Sequence, residues 1–270
     1  MLASKALAFI KRDYRIESSY KFAFVFEALT TVFPLVSFYF IGRLVGPQGP
    51  GGGLARYGGQ YFPFALVGIA VSQYLLLSLG TFSRTIRRSQ MAGCLEATLS
   101  AQTSPQAVIV FSSLYCFATK LLHTLLVFVL GWLVFGVHLQ QANFLSAAVV
   151  LALTVAAFSG LGILSAAFIV LLKKGDPIEW CIGAASSLLG GAVFPIEVMP
   201  GWMQALSVLF PITYSIEAMR MAILRGWGLE MLWKPVAILA VMAAILLPAG
   251  IWAFTAAVAQ GRRDGSLMHY

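Results

Sequence analysis

Apolar stretches long enough to cross a bilayer alternate with short polar breaks along nearly the whole chain. A spanning helix takes about 20 such residues, and the pattern predicts spans at residues 22–45, 61–82, 110–136, 143–172, 178–194 and 236–259. Residues 47–59, PQGPGGGLARYGG, are too rich in glycine and proline to continue a helix. Lys173-Lys174-Gly175-Asp176-Pro177 stops the fourth segment with charge, glycine and proline. Pro195, Pro200 and Pro211 interrupt residues 195–234, although the sequence there stays largely apolar. Irregular backbone at membrane depth must be covered by protein or line a cavity, so re-entrant or interfacial helices are expected before the sixth span. In residues 1–21, Leu2, Ala6, Ile10 and Tyr14 share one helical face while Lys5, Arg12, Arg15 and Ser19 share another. Two readings stand there: a helix lying on the membrane surface, or a solvated basic tail.

The fold class that follows is an all-α integral membrane protein. It has six transmembrane helices, an N-terminal interfacial helix over 1–21, a membrane domain over 22–259, a polar loop at 83–105 and a tail at 260–270. Composition agrees: the 270 residues are 60% hydrophobic and 10% charged, where a soluble domain carries roughly a quarter charged residues. The net charge of +8 is a matter of topology. Twelve Lys and Arg fall on one side of the predicted spans, five on the other, and Lys120 within a span. By the positive-inside rule both termini are cytoplasmic, and nucleic acid is excluded as a partner. The opening MLASKALAFI is followed at once by Lys11, Arg12, Asp13 and Arg15, so an uncleaved cytoplasmic start is expected. Cys94, Cys116 and Cys181 form neither a disulfide framework nor a zinc spacing.

An enzyme would need a constellation of reactive groups. The zinc motif H-E-x-x-H, the nucleophile elbow G-x-S-x-G and the phosphate loop G-x-x-x-x-G-K-[ST] do not occur in the sequence. His123, His138 and His269 are scattered, with no carboxylate at ligand spacing. The expectation is a non-enzyme with no catalytic or metal site and no ATPase site of its own.

The longest polar break is residues 83–105, SRTIRRSQMAGCLEATLSAQTSP. A short amphipathic helix between Arg87 and Leu99 would present Arg87, Arg88 and Glu96 to a soluble partner; the other reading is a charge cluster that only fixes topology. The segment Gly93-Cys94-Leu95-Glu96-Ala97-Thr98-Leu99, followed by Pro105, resembles the cytoplasmic loop of type-2 ABC exporter permeases, the ABC-2 type transmembrane subunits. Cys94 stands where that family usually has threonine. Gly190-Gly191-Ala192-Val193-Phe194-Pro195, Pro200-Gly201-Trp202-Met203, Pro211-Ile212-Thr213-Tyr214 and Glu217-Ala218-Met219-Arg220 follow in order and are similar to the family's signature around its fifth span. The resemblance covers nearly the whole chain.

The resemblance implies a permease subunit that pairs with a second copy and with two copies of a separate ATPase. ATP and magnesium are then held by the partner, not by this chain. The ATPase would grip Arg87, Arg88, Gly93, Leu95 and Glu96, and an extracytoplasmic gate would include Pro195, Pro211, Tyr214, Glu217 and Arg220. The implied activity is export of an amphiphilic substrate (drug-like molecule, lipid or lipid-linked glycan) across the cytoplasmic membrane. An intramembrane lipid-modifying enzyme and a non-transporting membrane anchor are the alternatives.

Within residues 211–224, Ile212, Ile216, Met219 and Ile223 share one face, and Thr213, Glu217 and Arg220 align on another with an internal ion pair available. The helix reads equally as a gate or as a structural cap on the bundle. Gly183, Ser187 and Gly191 recur every four residues, which suits close helix approach at a dimer seam or within one subunit. Glu27 and Lys120 are charges that lipid would penalise; each either faces substrate or snorkels to the headgroups.

Overall fold

The computed structural model describes residues 21–45, 54–91, 105–172 and 176–263. The expected surface helix, Gly93, Leu95, Glu96, the Lys173–Gly175 break and the tail beyond Arg263 lie outside the described residues, as does the Glu27 side chain. All regular structure among the described residues is helical: α1 (Lys21–Val45), α2 (Tyr61–Met91), α3 (Pro105–Leu133), α4 (Phe144–Leu172), α5 (Pro177–Leu189), α6 (Gly201–Ser207), α7 (Pro211–Leu224) and α8 (Trp233–Arg263). Single 3-10 turns occupy Ala55–Tyr57 and Ile196–Val198.

Proline sets several helix starts, because its fixed φ suits the first helical position and its missing N–H is not needed there. Pro105 opens α3, Pro211 opens α7, and Pro177 follows Asp176, whose carboxylate caps α5 by accepting the Glu179 N–H at 2.9 Å. Each predicted span falls on a helix; the third stops at Leu133 rather than residue 136, and two others depart further. The fifth ends at Leu189 rather than Phe194, because Gly190 and Gly191 follow and Gly191 turns the chain at φ +64°. Thirteen residues rise about 20 Å, short of the roughly 30 Å hydrocarbon core. The second runs past residue 82 to Met91, so the first nine residues of the expected loop are helix. Among the described residues, four helices are long and apolar enough to cross a membrane; α6 and α7, bent by 88°, make a fifth if they count as one broken span. The expectation was six.

The helices pack side by side around α7, which touches α2, α4 and α8. Of its fourteen residues only Tyr214, Glu217 and Leu224 are not buried. The expected polar face of this helix is therefore corrected: Thr213 donates to the Ser207 carbonyl at 2.7 Å, Ser215 pairs with Thr154 of α4 at 2.8 Å, and Arg220 is buried. Each of these three polar side chains meets a hydrogen-bond partner there.

The longest packing seam joins α4 to α8. A Cβ added at Gly160 would lie 2.4 Å from the Leu246 carbonyl, and one added at Gly250 would lie 2.3 Å from the Gly160 oxygen. The obstacle is backbone on both sides, which cannot swing away. Gly160→Ala and Gly250→Ala are each expected to cost about 1–3 kcal/mol by overpacking, despite alanine's better helix propensity. Thermal unfolding in detergent checks this; an unchanged or raised melting temperature would contradict it.

Candidate functional site

Two polar clusters sit at opposite ends of α2, and each is built on a glycine of that helix. At the end near Tyr57, Gly68 leaves a notch. In an α-helix the side chain four residues on leans over a carbonyl, so the absent Cβ at position 68 uncovers the carbonyl of Phe64. Arg220 fills the notch: its Nε donates to the Phe64 carbonyl at 3.1 Å and its Nη2 to the Ala192 carbonyl at 2.6 Å. The guanidinium lies 3.4 Å over the Phe64 ring and 5.6 Å from the Tyr57 ring. A Cβ at Gly68 would fall 2.0 Å from the Ala192 oxygen and 2.3 Å from Arg220 Nη2. The arginine is 3% exposed. A buried charge is costly unless satisfied, and here carbonyl dipoles and an aromatic face supply that satisfaction.

Around this seat runs a half-exposed ring. Glu217 meets Arg56 at 2.8 Å, and Glu197 meets the same arginine at 3.8 Å. Arg225 donates to the Ala55 and Arg56 carbonyls at 2.6 and 3.1 Å, fixing the 3-10 turn. Burial, reinforced by the Glu217 and Glu197 carboxylates, raises the Tyr57 phenol above its ordinary pKa. The ion pair that spacing offered between Glu217 and Arg220 is corrected. Three residues apart on α7, one side chain turns outward to Arg56 and the other inward to α2 and the segment after α5. Pro195 is buried and Tyr214 half-buried beside this cluster, and Pro211 starts the helix that carries it.

At the other end, Gly80 provides the second notch. A Cβ there would lie 2.0 Å from Glu179 Oε1 and 2.3 Å from Arg84 Nη2. Glu179 accepts from the Ser83 hydroxyl at 2.9 Å and pairs with Arg84 at 3.7 Å, while Arg84 Nε donates to the Gly80 carbonyl at 2.9 Å. Ser165 of α4 donates to Asp176, the cap of α5. Arg87 and Arg88 lie one turn further along α2, exposed; the rest of the expected coupling set is outside the described residues. Sequence reading took Arg84 only as a topology charge and did not single out Glu179, Gly68 or Gly80. The spacing Asp176-x-x-Glu179 is a helix-start signal that was available; the notches show no local signal.

The small-residue row on α5 is only partly a row. A Cβ added at Gly183 would meet only Leu76 Cδ2, at 3.7 Å, Ser187 is exposed, and Gly191 lies beyond the helix. Lys120 is half-buried within the apolar stretch Ser113–Leu133 of α3. A family model described as "ABC-2 type transporter" matches residues 7–224 of the chain. No curated protein matches it.

Proposed function

Since the chain belongs to the ABC-2 type transporter family, whose model spans most of its length, we propose that this multi-pass membrane subunit is the permease of an ATP-driven exporter of amphiphilic molecules. It works as a homodimer with two copies of a separate ATPase, which binds ATP and magnesium. The observation that carries the mechanism is the pairing of a sealed end with a projecting one. Arg220 closes the bundle at Gly68, and at the opposite end of the same helix Arg87 and Arg88 are exposed to a partner. The excess of Lys and Arg in the sequence segments on the Arg84 side of the predicted spans supports a cytoplasmic placement of that end in the inner or plasma membrane, with both termini on the same side. The Tyr57 end is then extracytoplasmic and acts as the gate. ATP binding draws the ATPases together, moves α2 by its cytoplasmic extension and the adjoining loop, and loosens the gate so that cargo leaves along the dimer interface. Ser187, exposed on α5, lies on that interface.

Glu96 is assigned to the ATPase contact by the family pattern. Glu96→Ala is expected to leave ATP hydrolysis and dimer assembly in place and to lower transport per ATP at least tenfold, measured in reconstituted vesicles. Unchanged transport would sink that assignment.

A further inference from the structure

The two glycine notches of α2 are bridged by a single element. Gly68 and Gly80 are twelve residues apart, about 18 Å along the helix. The stretch from Glu179 to Ala192, α5 and the turn after it, covers nearly the same length in the opposite direction. Its first turn enters the Gly80 notch through Glu179, and its far end presents the Ala192 carbonyl in the Gly68 notch. Between these points a Cβ added at Gly183 would meet Leu76 Cδ2 at 3.7 Å, ordinary van der Waals contact, and an open groove of about 490 Å³ lined by Leu76, Leu79, Glu179, Trp180 and Ser187 runs beside the helix pair. A helix is a rigid unit, so an element anchored at both ends carries displacement along its length.

Arg220 reads both members of this pair at once, because one guanidinium nitrogen holds the Phe64 carbonyl of α2 and another holds Ala192 beyond α5. If α2 alone is displaced, the two carbonyls shift relative to each other. If α5 is carried with it, the seat moves as a unit. Resting on the permease reading above, we propose that α5 is a transmission strut and that Glu179 is its positioning residue. The carboxylate, clamped by Ser83 and Arg84 beside Gly80, makes α5 follow the cytoplasmic end of α2 and so delivers the ATPase movement to the Arg220 seat.

The test uses the permease–ATPase complex in lipid nanodiscs, with hydrogen exchange of residues 190–198 measured without nucleotide and with ATP plus vanadate. The wild type is expected to show an ATP-dependent change in exchange there. Glu179→Gln keeps the size and the acceptor for Ser83 but removes the charge; it is expected to abolish that change and to lower transport per ATP about tenfold while hydrolysis continues. Arg84→Gln approaches the same contact from the other partner and is expected to do the same, with the double variant no worse than either single one. A merely structural role for the pair would also give non-additive losses of stability, but would keep the ATP-dependent change. An ATP-dependent change that persists in both single variants overturns the strut and leaves the permease reading intact. A wild type whose 190–198 exchange does not respond to ATP overturns the strut alone, and a complex that neither hydrolyses ATP nor transports overturns the permease reading and the strut with it. Should Glu179→Gln fail to assemble, Arg84→Gln alone decides between these outcomes.

Discussion

The Arg220→Ala chain is expected to lose about 3–5 kcal/mol of stability and to leak at its Tyr57 end, because the substitution empties an enclosed site on which three elements converge. The side chain holds α7 to the Phe64 carbonyl of α2 and to Ala192 after α5, over the face of the Phe64 ring. Truncation leaves the Ala192 carbonyl without that donor and opens a void. Removing a buried large side chain costs about 2–5 kcal/mol, and an orphaned buried acceptor about 1–3. Arg220→Met separates the two effects. Methionine refills most of the volume, so the expected loss falls to about 1–3 kcal/mol, but it donates nothing to Ala192, so the leak persists. Denaturant unfolding in micelles gives the first quantity, and release of an entrapped dye from vesicles gives the second. A tight Arg220→Met variant would show that closure depends on packing and not on the arginine's hydrogen bonds.

Gly68→Ala carries the second large effect, and its sign is diagnostic. In an ordinary helix interior this change gains roughly 1 kcal/mol, because alanine is the better helix former. At position 68 the new methyl would lie 2.0 Å from a backbone oxygen and 2.3 Å from the guanidinium. Arg220 cannot stay. The expected result is a net loss of about 2–4 kcal/mol, combining overpacking with the loss of charge-assisted hydrogen bonds, and a leak resembling that of Arg220→Met. The two substitutions act on one contact, so the double variant is expected to be much less damaging than the sum of the singles. Additive losses, or a rise in melting temperature for Gly68→Ala alone, would show that the notch does not seat the arginine.

What was legible in the sequence divides along the range of the interactions. The long apolar helices and their prolines could be read because bilayer length and the missing proline N–H are local constraints, visible in one segment at a time. The short α5 is overextended in the sequence reading because the run stays apolar through Gly190-Gly191-Ala192-Val193-Phe194, although the Gly190-Gly191 pair is a helix-stop signal and Gly191 takes a positive φ. The Glu217–Arg220 pairing failed for another reason. Helical spacing brings two Cβ atoms within reach but does not fix the direction of long side chains, which here is set by what lies beyond the helix: Arg56 on one side and a notch in α2 on the other. Gly68, Gly80, Gly160 and Gly250 stand out only once the backbones opposite them are placed. The same holds for Arg84 and Glu179, whose pairing joins residues far apart in the chain.

The central claim is that this subunit moves its cargo by coupling to an ATPase it does not contain. The most direct measurement is purification of the tagged chain from its native membrane, identification of the proteins that accompany it, and assay of the complex for ATP hydrolysis. The account predicts a stoichiometric ATPase subunit and ATP hydrolysis by the complex that is lost when the ATPase is removed. A chain that purifies alone, and whose preparation hydrolyses no ATP, would contradict it.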